Sequence, residues 1–254
     1  GDGGDEILAG YERYQVDHRR RWLGVLGDLH LGAPLRALSG VLPVGGGKNI
    51  LRNLSWPRTR RYLESMSLFR EDALREAFAS APLEPYELDG FADPDLDPLS
   101  RLQDLDMKSY LPGDILTKVD RMSMANSLEA RVPLLDHRLV EFACGLPVDL
   151  RVRDGSGKYL LKRALRGRIP DELLTRPKQG FGVPLEAWFS GSIRGFFRDQ
   201  LGDGTRLEGL GIARNEVGRL QGLFERTGRR DYCDRLWALV VLDRSVQRLF
   251  GVNG

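Results

Sequence analysis

The 254-residue chain has few cysteines, few histidines, no strong charge excess and no long apolar run. Its two cysteines, Cys144 and Cys233, lie in apolar helical contexts. Two thiols in a chain this long do not make a disulfide framework. The three histidines, His18, His30 and His137, fall at no metal-ligand spacing. Lysine plus arginine total 38 against 36 acids, a formal charge of +2. That balance builds no field for nucleic acid or an anionic membrane, and neither is expected as a partner. No apolar stretch approaches the ~20 residues of a membrane helix. With no signal-peptide pattern at the start, a soluble, cytoplasmic protein is expected. Several catalytic signatures are missing too. Val44-Gly-Gly-Gly-Lys-Asn49 lacks the first glycine and closing hydroxyl of a P-loop. His18-Arg-Arg-Arg21 is too short for a nucleic-acid claim, and no Gly-x-Ser-x-Gly occurs.

Strands are scarce, whereas helical periodicity runs almost throughout. Ile7, Leu8, Tyr11 and Tyr14 recur at helical spacing, and Pro34 opens a short segment with Leu35, Leu38 and Leu42. Arg58 to Phe78 reads as two helices broken near Phe69. Helices are predicted over Leu99–Tyr110, Asp114–Ser127, from an N-cap at Asp136, and over Tyr159–Leu165. Trp188, Phe196, Phe197 and Leu201 mark two short helices, and Asn215–Phe250 is a long stretch broken near Gly228. The one clean alternation, Val148, Leu150 and Val152, predicts a short edge strand. Ala81–Pro98 holds four prolines and six acids without a base, which suits a linker or surface loop. The expected fold class is mainly α, with at most a few short strands.

Four segments carry chemistry. The chain opens Gly1-Asp2-Gly3-Gly4-Asp5-Glu6, a turn of the kind that follows a strand, and it is expected to be the later portion of something longer. Glycine amides and a following helix suit a phosphate, and Asp2 and Asp5 suit Mg²⁺ held between carboxylates and phosphate oxygens. The same spacing also suits a capping box, with Asp2 as N-cap and Asp5 at N3. In Gly155-Ser156-Gly157-Lys158, Ser156 as N-cap would put Lys158 in the first helical turn, against the helix dipole. An anion there would explain it, as would an ordinary surface lysine. Arg176–Pro184, with Lys178, is a basic glycine-bearing loop that suits a polyphosphate or a solvated connector. Lastly, Ile115, Val119, Met122 and Met124 with Ala125 predict a helical core stripe. Asp120, Glu129 and Arg131 interrupt it as an expected internal ion network.

Together these segments resemble the synthetase region of the glutamine-hydrolysing asparagine synthetases. The family's glycine-acid turn, its Lys-Val-Asp-Arg-Met-Ser-Met-Ala…Leu-Glu-Ala-Arg-Val-Pro-Leu-Leu-Asp-His block, its Lys-x-x-Leu-Lys helix and its Arg-x-Lys-x-Gly-Phe loop are met by Gly1–Tyr14, Lys118–His137, Lys158–Arg163 and Arg176–Pro184, in order. The resemblance implies the helical C-terminal portion of an α/β adenine-nucleotide α-hydrolase-like (PP-loop) synthetase domain. It implies ATP and Mg²⁺ as cofactors, and aspartate activated as an aspartyl-adenylate that ammonia from glutamine then attacks. Gly1, Asp2 and Gly3 match ATP-contacting positions; Asp2 replaces a common glutamate and is also an expected catalytic residue, supporting adenylate formation. Asp5 matches the Mg²⁺–pyrophosphate aspartate, Lys158 the charge-stabilising lysine, and Lys178 a phosphate contact. Glu6, Asp120, Arg121, Glu129 and Arg131 are expected to support the site, and a homodimer is one assembly the family allows. Two departures matter. Leu8-Ala9-Gly10 stands for the usual Phe-Gly-Gly, and the Ser-Gly-Gly-x-Asp-Ser pyrophosphate loop and the cysteine glutaminase domain are missing from the 254 residues. The chain is therefore expected to hold half an active site and to be inactive alone. Relatives acting on β-lactam, lasso-peptide or sugar carboxylates, and a non-catalytic helical scaffold, are the alternatives.

Overall fold

Gly3, at φ 81, caps a single helical turn, α1 (Gly4–Ile7), and the chain leaves it at Ala9, a buried residue at φ 54. The Gly10 amide closes this turn on the Asp5 carbonyl at 2.8 Å before α2 (Glu12–Arg19) begins. The periodicity across Ile7, Leu8, Tyr11 and Tyr14 therefore spans two helices joined by a reversal. Gly3, rather than Asp2, is the N-cap, and no side-chain cap forms, so the predicted capping box is absent. The computed structural model describes residues 2–19, 34–35, 51, 55–78, 91–176, 182–191, 194–202 and 205–251. His30, Leu38, Leu42, Val44–Asn49 and the 81–90 part of the proline-rich segment lie outside them.

α3 (Arg58–Met66) and α4 (Glu71–Ala77) part around Phe69, as their pattern predicts. Asp97 starts α5 (Pro98–Lys108) by accepting from the amides of Leu99 (3.0 Å) and Ser100 (3.1 Å), with proline at the first helical position. A π-helical segment, Leu111–Leu116, leads into α6 (Thr117–Met124), and a 3₁₀ turn (Pro133–Leu135) precedes α7 (His137–Cys144). Asp136 caps α7 on the Arg138 amide, as expected. The predicted strand at Val148 is instead a helical turn, α8 (Val148–Arg151). Pro147 at its N-cap presets that turn, and six residues of alternation cannot distinguish one helical turn from an edge strand. Pairing is confined to β1 (Val152–Arg153) and β2 (Ser156–Gly157), antiparallel across Asp154 and Gly155, both at positive φ. α9 (Tyr159–Leu165) and α10 (Asp171–Thr175) follow. Beyond them come α11 (Leu185–Ser190), α12 (Arg194–Leu201), α13 (Thr205–Glu208), α14 (Glu216–Thr227) and α15 (Arg230–Phe250), with the long stretch broken at Gly228. The described chain is mainly helical, as expected.

The chain divides into two compact units. The first, Gly1–Ser65 with Tyr86–Pro177, packs Ile7, Leu8, Ala143 and Leu146 under Leu134 and Leu139. The second, Met66–Pro85 with Lys178–Gly254, centres on Leu220, Leu236, Leu239 and Cys233, whose thiol burial pushes up to about 11. In the first unit the expected stripe on α6 does not become core. Met122 and Met124 are 62% and 56% exposed, and no residue of α6 is buried. Glu129 and Arg131 do pair, at 2.5 Å, but with side chains 71% and 81% exposed; Asp120 and Arg121 are exposed as well. The expected internal ion network is thus a solvent-screened pair, worth at most about 1 kcal/mol.

Asp97 allows a direct test of helix capping. Partial burial opposes its charge, yet the bonds from Ser100 and the nearby Arg151 hold the carboxyl below its ordinary range. A depressed folded-state pKa stabilises above the unfolded value and is lost as pH falls through the folded one. Urea unfolding of Asp97→Ala at pH 7 should show a loss of about 1 kcal/mol. The gap from wild type should narrow below about pH 4.

Candidate functional site

Two of the sequence-predicted residues meet. Asp5 projects from the first turn of α1 and Lys158 from the end of the β1–β2 hairpin, with Nζ 3.1 Å from Asp5 Oδ1. Lys158 is itself the N-cap of α9, not a first-turn residue after a Ser156 cap, since Ser156 and Gly157 are consumed by β2. Its backbone sits at φ 57, a left-handed conformation costing an ordinary residue roughly 1–2 kcal/mol. The Lys158 amide donates to the Leu8 carbonyl at 2.8 Å, which ties the hairpin to the α1 turn. Two glycines permit this approach. A Cβ on Gly157 would overlap the Ala9 carbonyl, and one on Gly10 would overlap both Asp5 Oδ1 and Lys158 Cε. Strain held by such surroundings is characteristic of functional positions.

Glu6, the neighbour of Asp5, turns inward. It is 1% exposed, its carboxylate accepts from Tyr11 Oη at 2.5 Å, and its carbonyl accepts from the Gln103 amide. Gln103 Oε1 accepts in turn from Arg151 (2.6 Å), whose other nitrogen reaches Ser100 Oγ (2.7 Å). Arg151 and Gln103 are buried, so this chain of bonds braces the Asp5 turn from α5 and α8. Glu6 thus faces inward, bonded within the turn that carries Asp5.

A second cluster underlies α2. Asp106 is fully buried, and its Oδ2 accepts from Tyr14 Oη, from Tyr62 Oη (2.5 Å) and from Arg13 Nη2 (2.8 Å). Its Oδ1 has no partner. The Arg13 guanidinium lies over Tyr11 (4.0 Å to the ring centre) and Tyr110 (4.7 Å). Burial and Asp106 push the Tyr14 and Tyr62 phenols far above their ordinary range, so both remain donors. Sequence reasoning missed this cluster. Its one local signal is a carboxylate, Asp106, adjoining the apolar face of Leu99, Leu102 and Leu105.

Asp2 lies half-buried on the turn beside Gly3, while Gly1 and Lys178 lie outside the described residues. Among the described residues no set of three or more His, Cys, Asp or Glu side chains forms a metal cage. Mg²⁺ seldom uses one; it takes one or two carboxylates with phosphate and water. Asp5, already facing a cation, fits that donor set as a single carboxylate.

Known proteins supply the context for this geometry. The Asparagine synthase family model matches residues 1–247. Asparagine synthetase [glutamine-hydrolyzing] 1 of Bacillus subtilis (strain 168) is 30% identical over 210 residues, covering 78% of this chain and 32% of that protein. A putative asparagine synthetase [glutamine-hydrolyzing] of Mycobacterium tuberculosis (strain ATCC 25618 / H37Rv) is 33% identical over 252 residues, covering 95% of this chain and 37% of that protein. No solved structure matches. These matches reach the level of the family, one of amide-forming ligases. The chain belongs to the asparagine synthase family. It spans about a third of the length of these two relatives, 32% and 37%.

Proposed function

We propose that this chain contributes the acid–lysine side of an ATP-dependent amide-forming site. The reaction joins ammonia, released from glutamine, to the β-carboxylate of aspartate through an aspartyl-adenylate. The Asp5–Lys158 pair carries this reading: two motifs far apart in sequence converge at 3.1 Å through a strained backbone and two close-packed glycines. Lys158 then donates to phosphate oxygens as negative charge builds during adenylate formation and breakdown, an interaction that strengthens in the transition state. Asp5 holds Mg²⁺, which when bound neutralises charge on the departing pyrophosphate. Asp2 and the amides of Gly1 and Gly3 position ATP, Lys178 assists at the phosphates, and Glu6 fixes the turn that carries Asp5. No described helix is long and apolar enough to cross a membrane, and we place the activity in the cytoplasm.

The test is aspartate-dependent exchange of labelled pyrophosphate into ATP by the complete polypeptide that carries this chain. Exchange with aspartate supports the reading. Exchange only with another carboxylate moves the acceptor and keeps the adenylation, and no exchange with any carboxylate removes both.

A further inference from the structure

We infer that Lys158 and a divalent cation compete for Asp5, so that metal occupancy and the release of the lysine amine towards phosphate are one exchange. The inference rests on the reading of Asp5 as the metal carboxylate. Its structural basis is the contact itself: Nζ lies 3.1 Å from Oδ1 of the carboxylate assigned to the cation. The two side chains are 26% and 20% exposed, so the pair is neither deeply buried nor fully screened. The Lys158 main chain is pinned by its left-handed φ and by the Leu8 carbonyl, which leaves the exchange to side-chain torsions. Gly10 lets Asp5 Oδ1 and Lys158 Cε lie together against the backbone, where a Cβ would overlap both. The arrangement pairs the carboxylate with the amine and presents the amine to phosphate once the carboxylate is otherwise matched.

Competition is reciprocal, since each occupant lowers the other's affinity by the same factor. Mn²⁺ binding to the complete polypeptide without nucleotide, followed by electron paramagnetic resonance, reads it directly. Lys158→Met should bind Mn²⁺ about fivefold or more tightly than wild type. Lys158→Arg, which keeps the charge, should bind as wild type does. Lys162→Met, which removes a charge one helical turn away, should leave the affinity nearly unchanged, and Asp5→Asn should abolish binding. With saturating pyrophosphate the order should invert, Lys158→Met now holding Mn²⁺–pyrophosphate more weakly. If Asp5→Asn abolishes binding while Lys158→Met leaves it unchanged, or Lys162→Met tightens it equally, the exchange is overturned and the metal role of Asp5 stands. If Asp5→Asn binds Mn²⁺ as wild type does, both are overturned.

Discussion

Replacing Asp106 with alanine is expected to destabilise the protein by about 3 kcal/mol, the cost of removing a fully buried carboxylate that is the shared acceptor of three donors. Three donors converge on one oxygen of this carboxylate, and two of them, Tyr14 and Tyr62, are themselves buried. Removing it takes the shared acceptor from both phenols and leaves Arg13 with the Tyr62 hydroxyl (2.7 Å) and the tyrosine ring faces as partners. Tyr14→Phe should cost much less, roughly 1 kcal/mol, because the arginine remains paired. A double variant, Asp106→Leu with Arg13→Met, should recover much of the loss, since apolar replacement of both partners avoids the stranded charge. Denaturant titration of the four proteins decides the matter. A loss under about 1 kcal/mol for Asp106→Ala would mean that the cluster is hydrated rather than sealed.

Lys158→Ala in the complete polypeptide is expected to lower the rate of ATP–pyrophosphate exchange by about 10²–10³-fold, the usual worth of one preorganised donor aimed at developing charge. The thermal midpoint should move little, because a partly exposed ion pair contributes little to folding. Asp5→Asn should lose exchange as severely, through the metal. The double variant should be no worse than either single one, as befits groups that act as a unit. Additive losses in the exchange rate would show that the two residues serve separate steps.

Helix boundaries were legible at some local signals and not at others. Asp136, and Gly228 between α14 and α15, marked their boundaries correctly, whereas Asp2 and Ser156 did not. Burial was less legible. The period of Val119, Met122 and Met124 states that one face is apolar, but not whether another element covers it. The alternation at Val148–Arg153 failed because two residues of strand followed one helical turn, too short for either period to dominate. Asp106, Arg13 and Tyr62 came from three distant segments, so nothing local connected them. Spacing alone left Asp5 between capping and chemistry, and Lys158 between site and surface; the family resemblance selected them, and the structure shows them in contact.

The hairpin that delivers Lys158 has the shortest loop an antiparallel ribbon allows, just Asp154 and Gly155 between its strands. Successive strand residues face opposite ways, so a slip of one position reverses every side chain beyond it. A single residue inserted in that loop is expected to shift β2 against the Leu8 carbonyl that holds the Lys158 amide, moving the amine relative to Asp5 with every functional side chain still present. The loop therefore acts as a phase setting: its length, more than its composition, decides where the lysine sits.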